Sequence, residues 1–358
     1  MTRTYRKIMT IAMIAMMSAA LLVQASAMDF SVTPELPDNQ RRNGNSFFDL
    51  MVQPGQSQDL VIEIANLSDV EILVLLEAIT ASTSRNGQIN YSARGLLDES
   101  MQFSFEDLVT LPASQFVIPA QSSIQVPIGL TIPDSLFEGT LLGSIRVLRE
   151  ATQEEKDAAG AIVNQYAHVT AVRLVQSESA DAIAADFELG GISAELINFR
   201  ASIVAEIRNT QPKVIKGARA TAAIYAIDDN QQVVFEHTME TLDLAPNSIF
   251  PYSFVDREGY GIEAGDYRAV IEIEYEGQSW SFEETFTIDP AVAAEINDNA
   301  VNQQGQVRPN ISADSITGLP IWAVIAIAGG AAVISAMAVA IIMLARKRRD
   351  PFHGLAKR

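Results

Sequence analysis

From Asp29 to Gln176 the apolar residues come in short runs broken by Pro, Gly, Asn and Ser, the pattern of strands and turns. Leu60-Val61-Ile62-Glu63-Ile64-Ala65-Asn66 predicts one strand, and Val70 to Ile79 a longer one. Phe116 to Pro119 and Ser123 to Ile132 predict two more. Leu141 to Leu148 and Tyr166 to Val175 read as a hairpin with a long connection, Glu150 to Gln165, in which Glu154 to Ala159 suit one or two helical turns. Asn86-Gly87 favours the positive φ of a tight turn. A second set of strands covers Phe187 to Ile288: Ser202–Asn209, Ala218–Ile227, Val233–Leu242, Phe250–Val255, Tyr267–Glu274 and Trp280–Ile288. Tyr267, Ala269, Ile271, Ile273 and Tyr275 alternate with polar or smaller partners, which places them on one buried face.

The two halves resemble each other. Leu60 to Asn66 matches Ser202 to Asn209 as a strand closed by Asn, and Val117-Ile-Pro-Ala-Gln-Ser122 matches Leu242-Asp-Leu-Ala-Pro-Asn-Ser248. Phe137-Glu-Gly-Thr140 matches Glu263-Ala-Gly-Asp266, each followed by a long alternating strand. Three matches in one order predict two copies of one sandwich. The expected fold is therefore all-β: two tandem immunoglobulin-like β-sandwich domains, over 28–178 and 179–290, then a flexible stalk and a single C-terminal transmembrane helix.

The ends carry different patterns. Arg3, Arg6 and Lys7 precede an uncharged run, Ile8 to Val23, and Ala25-Ser26-Ala27 offers small residues to a signal peptidase, so residues 1–27 read as a signal peptide cut after Ala27. Residues 291–319, rich in Asn and Gln, read as the stalk. Ile321 to Leu344, within a span set at 320–345, has no charge, and at 1.5 Å per residue it reaches about 36 Å against a hydrocarbon core of about 30 Å. Arg346, Lys347, Arg348 and Arg349 follow as a stop-transfer signal and open a basic cytoplasmic tail, 346–358. The expected location is the plasma membrane, single-pass, N-terminus outside, with the bilayer met through Ile321 to Leu344.

Apolar residues make up 48% of the chain and charged ones 19%, enough for real cores. Of the 25 basic residues three lie in the leader and six in the tail, whereas all but Asp350 of the 44 acids lie between, leaving the exterior part at net −27. Such a surface repels nucleic acid. The chain has no Cys, which suits an exported bacterial protein, best a Gram-positive one, over a disulfide-stapled ectodomain.

Phe30-Ser-Val-Thr-Pro34, Leu36-Pro37-Asp38-Asn39-Gln40, Phe47-Phe48-Asp49-Leu50, Pro54-Gly55-Gln56, Asn86-Gly87-Gln88-Ile89, Phe137-Glu138-Gly139 and the strand Tyr166 to Leu174 occur in an order and spacing that resembles the WxL-interacting proteins of Gram-positive bacteria. The resemblance covers nearly the whole chain. It implies a peptidoglycan-binding N-terminal domain, a second domain that meets host extracellular proteins or other partners, and complexes with WxL-domain surface proteins.

The residues offer little chemistry. His168 and His237 fall in different predicted strands and His353 in the tail, and no His or Cys cluster has metal-ligand spacing. No nucleophile elbow, phosphate loop or metalloprotease helix is present. The reading is a binding protein, not an enzyme, with no cofactor. Asp228-Asp229-Asn230 and Asn297-Asp298-Asn299 have oxygens for calcium but not the spacing of a calcium loop. Asn39 and Gln40 are the candidate binding residues, because side-chain amides donate and accept together and so suit sugar hydroxyls; a turn that uses those amides on its own backbone is the plainer reading. Thr317-Gly318 sits where a sortase motif would, without its Leu-Pro, which favours retention in the membrane. The expected role is a membrane-anchored adhesion or scaffold protein; the alternative is a secretion-linked, chaperone-like or accessory module that holds other exported proteins.

Overall fold

In the computed structural model, which describes residues 29–42, 44–152, 155–157, 165–227, 232–256 and 261–301, the apolar runs form strands whose alternate side chains meet a facing sheet. The first half contains β1 (Phe30–Glu35), β2 (Phe48–Met51), β3 (Ser57–Asn66), β4 (Ile72–Thr80), β5 (Ser82–Thr83), β6 (Ile89–Asn90), helix α1 (Phe105–Leu108), β7 (Val109–Thr110), β8 (Gln115–Ile118), β9 (Ser123–Thr131), β10 (Thr140–Arg149) and β11 (Ala167–Val175). One sheet has the order β1-β3-β9-β7 and the other β2-β11-β10-β4-β8, while β5 and β6 make a separate hairpin. In β3, Leu60, Ile62 and Ile64 turn inward, and they share one core with Val74, Leu76, Ile145, Val147, Val172 and Leu174 of the opposite sheet. The chain crosses between sheets after β1: β1 is antiparallel to β3, but β2 runs parallel to β11. Gly143 of β10 is there for close approach, since a Cβ would lie 2.1 Å from Phe105 Cγ.

The second half contains β12 (Phe187–Ile197), β13 (Arg200–Asn209), β14 (Ile215–Ala226), β15 (Val233–Leu244), β16 (Ser248–Val255), β17 (Gly265–Tyr275), β18 (Gln278–Ile288) and helix α2 (Pro290–Asn299). Its sheets are β12-β13-β16 and β15-β14-β17-β18. Tyr267, Ala269, Ile271, Ile273 and Tyr275 do share one buried face. The two halves have one plan: β12, β13 and β16 take the places of β1, β3 and β9, and β15, β14, β17 and β18 those of β8, β4, β10 and β11. The first half adds β2 and β7 at sheet edges.

The proposed stalk needs correction at its start. Residues 290–299 are helical, with Asp289 as N-cap and Pro290 in the first turn. Ala293, Ile296 and Ala300 pack into the second core. Asn297, read from its neighbours as stalk or a weak calcium candidate, clamps Ile262: its Oδ1 accepts from Ile262 N at 2.9 Å and its Nδ2 donates to Ile262 O at 2.8 Å. The polar composition concealed a helix with a narrow apolar stripe. The leader 1–27 with Ala27, the stalk from 302 to 319, the apolar run Ile321 to Leu344, the cations Arg346, Lys347, Arg348 and Arg349, and Asp228-Asp229-Asn230 lie outside the described residues. Among the described residues no helix is long and apolar enough to cross a membrane.

Candidate binding cleft between the sandwiches

The two sandwiches meet through the segment from Ala81 to Ser104, which the first inserts between β4 and α1. Asp98 N donates to Asn247 O at 2.8 Å, Ile249 N to Leu96 O at 3.2 Å, and Asp243 N to Gly87 O at 2.8 Å. Thr83 Oγ1 lies 2.7 Å from Ser248 Oγ and accepts from Ala245 N at 3.0 Å. From β10, Thr140 N donates to Pro212 O at 2.8 Å. Ala81, Leu142 and Ala245 bury together here, with Ile89, Tyr91 and Val214 packed around them. The Asn86-Gly87 turn is needed twice over: Gly87 has φ +67, and a Cβ there would sit 2.6 Å from Leu242 Cδ1. One tie is ionic. Arg208 donates through Nε to Asp98 Oδ2 at 2.5 Å and through Nη2 to Oδ1 at 3.2 Å, and the Asp98 side chain is 0% exposed. Backbone pairing, apolar contact and a buried ion pair join the sandwiches within one compact unit.

The duplicated Asn builds the corner that makes this contact. Asn66 Nδ2 donates to Val70 O, Ile118 O and Pro119 O, while its Oδ1 accepts from Ser68 N. Asn209 Nδ2 donates to Lys213 O and Ala245 O, while its Oδ1 accepts from Gln211 N. Gln121 and Asn247, matched in sequence, both have positive φ, at 54 and 46 degrees, and their N–H groups donate to Ser68 O and Gln211 O. The corners differ in what they present. At the position four residues after each Asn, the first has Val70, 57% exposed, and the second has Lys213, 7% exposed.

Lys213 faces a cleft of about 400 Å³ walled by both sandwiches. Phe47, Asp49, Tyr91 and Arg173 of the first line it opposite Lys213, Lys216 and Tyr275 of the second. Arg173 Nη2 donates to Asp181 Oδ1 at 2.5 Å. Its Nη1 lies 3.6 Å from the buried Asp49 Oδ1, which Arg41 Nη1 also approaches at 3.4 Å. Arg173 Nε is buried without a partner. Lys213 Nζ donates to Asp181 O at 3.3 Å, lies 3.7 Å from Glu276 Oε2 and sits 5.8 Å from the Tyr275 ring centre. Burial pushes the Tyr91 hydroxyl above the usual tyrosine value, with Arg173 opposing, and burial together with Glu276 pushes Tyr275 up. Both rings therefore stay neutral donors.

The residues chosen from sequence sit beside this cleft, not in it. Asn39 Nδ2 donates to Met51 O at 2.9 Å. Gln40 Oε1 accepts from Asp49 N at 3.1 Å, and its Nε2 donates to Phe47 O at 2.9 Å. The amides close the loop between β1 and β2, and that loop carries Arg42 and Phe47 to the cleft wall beside Asp49 of β2. Asn39 and Gln40 belong to the loop that borders the cleft, and neither lines it. Lys213 and Arg173 gave no signal, because only the docking of two sandwiches makes them neighbours. A smaller cavity, about 300 Å³, shares Leu142 as a wall and is lined mainly by apolar and hydroxyl side chains such as Phe103, Leu136 and Thr210.

The histidines stay apart. His168 Nε2 is 3.1 Å from Phe30 O with its ring edge-on to Phe30, and His237 tilts against Tyr252. Among the described residues no three His, Cys, Asp or Glu side chains are grouped to hold a metal.

Two family models match the chain. Residues 30–149 match the one described as WxL Interacting Protein, peptidoglycan binding domain, and residues 157–298 the one described as WxL Interacting Protein, host binding domain. Their boundary differs from the structural one, since β11, within the second match, completes the first sandwich between β2 and β10. No curated protein sequence matches the chain. Among solved structures, the E. coli chaperone DraB is similar at 15% identity, over 73% of this chain and 98% of that one, with a TM-score of 0.26. The Salmonella enterica SafA pilin in complex with the SafB chaperone is similar at 9% identity, over 66% and 98%, with a TM-score of 0.27. Likenesses this distant carry no functional argument.

Proposed function

Because the chain belongs to the WxL-interacting protein family, we propose that it is a non-enzymatic cell-surface binding protein that holds peptidoglycan with its first immunoglobulin-like sandwich and a WxL-domain or host protein with its second. The observation that carries this reading is the order of the two family matches on two sandwiches joined by a buried junction, which suits a wall-binding half and a partner-binding half that transmit position as well as affinity. Edge strands such as β15 and β18 have open backbone groups that suit a partner strand.

The apolar run Ile321 to Leu344 and the four cations behind it support a membrane anchor, with the acidic body outside. A reporter fused just ahead of Gly318 is expected to be active only outside the cell; activity in the cytosol would overturn this topology. For wall binding, residues 28–301 are the piece to use, since both cores and the junction lie within it. They are expected to sediment with purified sacculi and to be released by digestion of the glycan. A protein that stays in the supernatant across a range of salt would overturn the wall-binding reading.

A further inference from the structure

We infer that the cleft between the sandwiches is a subsite for the carboxylate end of a wall peptide, and that both domains are required to form it. The inference rests on the wall-binding reading and specifies its ligand.

The first support is charge. The exterior part of the chain is net −27, yet this cleft gathers Arg42, Arg173, Lys213 and Lys216. Arg42 and Lys216, exposed at its rim, make no side-chain ion pair with any described residue. The second is an incompletely used ammonium. Lys213 is 7% exposed, but among described residues its ammonium makes one hydrogen bond, to Asp181 O, one longer ionic contact, to Glu276, and a ring contact with Tyr275 that uses no acceptor atom. An ammonium has three donors, and a buried one left short of acceptors is costly. An arriving carboxylate would supply them.

The third is internal comparison. The same Asn-held corner places Val70 at the free end of the first sandwich and Lys213 in the cleft of the second. The corner itself therefore does not need a lysine; the cleft is where the charge has a use.

The acids in the cleft narrow the ligand class. Asp49, Asp181 and Glu276 stand among the cations, so a polymer of phosphodiesters would meet repulsion along its length. A peptide terminus presents one anion, beside amide or ammonium hydrogens that those acids can accept. Phe47, Tyr91 and Tyr275 offer ring faces to small apolar side chains or a sugar ring. Peptidoglycan combines these features, with short peptides ending in carboxylates on an amino-sugar glycan.

The test uses residues 28–301 and three probes: a disaccharide-tetrapeptide with a free carboxylate end, the same compound amidated there, and a glycerol phosphate oligomer. Calorimetry is expected to show the free acid bound about tenfold more tightly than the amide, the worth of one charge-assisted hydrogen bond pair. Lys213→Met, which keeps the apolar stem, is expected to abolish that difference. Arg42→Gln and Lys216→Gln, at exposed positions that folding does not need, are each expected to weaken the acid about threefold and leave the amide unchanged. Equal binding of acid and amide by the wild type overturns the inference, as does displacement of the peptide by an equimolar phosphate oligomer. Sacculus retention separates the two levels: retention without acid–amide discrimination sinks the cleft and leaves wall binding standing, whereas loss of both sinks the reading beneath it.

Discussion

Arg208→Met is expected to lower the stability of the two-sandwich body by about 3 kcal/mol at neutral pH, because removing one partner leaves a buried charge without compensation. Asp98 has no exposed side-chain surface, and Arg208 supplies two of its hydrogen bonds; Ser100 N supplies another at 2.9 Å. Arg208 also reaches Glu188 at 3.0 Å and Glu99 at 2.9 Å, but both acids are largely exposed and add little. Burial by itself pushes the Asp98 carboxyl up, yet the bonds from Arg208 and Ser100 outweigh it and hold the group below the usual aspartate value. Its folded value is thus lower than its unfolded one. The stabilisation is present above the unfolded aspartate value and is lost as pH falls through the lower, folded one. The wild type should keep its junction to a lower pH than an ordinary aspartate would allow. In the variant the unpaired, buried carboxyl rises, so stability should begin to fall at higher pH. Urea unfolding across pH 2.5 to 7, an interval of roughly the range over which carboxylates titrate, reads both effects. The double variant Asp98→Leu with Arg208→Met should recover most of the loss. An Arg208→Met protein as stable as wild type at pH 7 would show that the pair does not hold the junction.

The second large effect concerns the duplicated corner. Asn209→Ala strips donors from Lys213 O and Ala245 O, both acceptors in buried bonds. Ala245 O keeps the Ser248 hydroxyl as donor at 2.8 Å, whereas Lys213 O loses the Asn209 amide, and leaving a buried carbonyl without it costs about 1–3 kcal/mol, so the expected loss is about 2 kcal/mol. Asn66→Ala, where Val70 O and Pro119 O keep the Ser68 and Ser122 hydroxyls and Ile118 O loses the amide, should cost about as much. What differs is the consequence. The Asn66 corner lies beside Leu67, which bonds Asp29 at the start of the described chain, whereas the Asn209 corner carries Gln211, Lys213 and Asn247 into the junction. Hydrogen exchange should therefore show loosening of the Ala81 to Ser104 segment in Asn209→Ala alone. Equal protection of that segment in both variants would contradict the assignment of the second corner to docking.

The strands were legible because the alternation of Leu60, Ile62, Ile64 or of Ala269, Ile271, Ile273 is dictated by the pleat, which needs no partner to be recognised. The helix over 290–299 was not, because Asn297, Asp298 and Asn299 outweigh the narrow stripe of Ala293 and Ile296 that packs on the core. The repeat was legible at Asn66 and Asn209, since a buried amide that serves several carbonyls constrains both strand end and turn. Asn39 and Gln40 illustrate the opposite case. Their amides look available in sequence, but the loop uses them to close on β2.

What the sequence determined by itself was local and periodic: which segments are strands, where they turn, that the plan occurs twice, and that acidic and basic residues are unequally shared along the chain. Tertiary structure decided what depends on distant segments meeting. Asp98 finds Arg208 and Arg173 comes to share a cleft with Lys213 only because the inserted segment of one sandwich docks on a corner of the other. No periodicity records such meetings, since a charge bound for burial against a partner a hundred residues away looks, in sequence, like any other on a solvated turn.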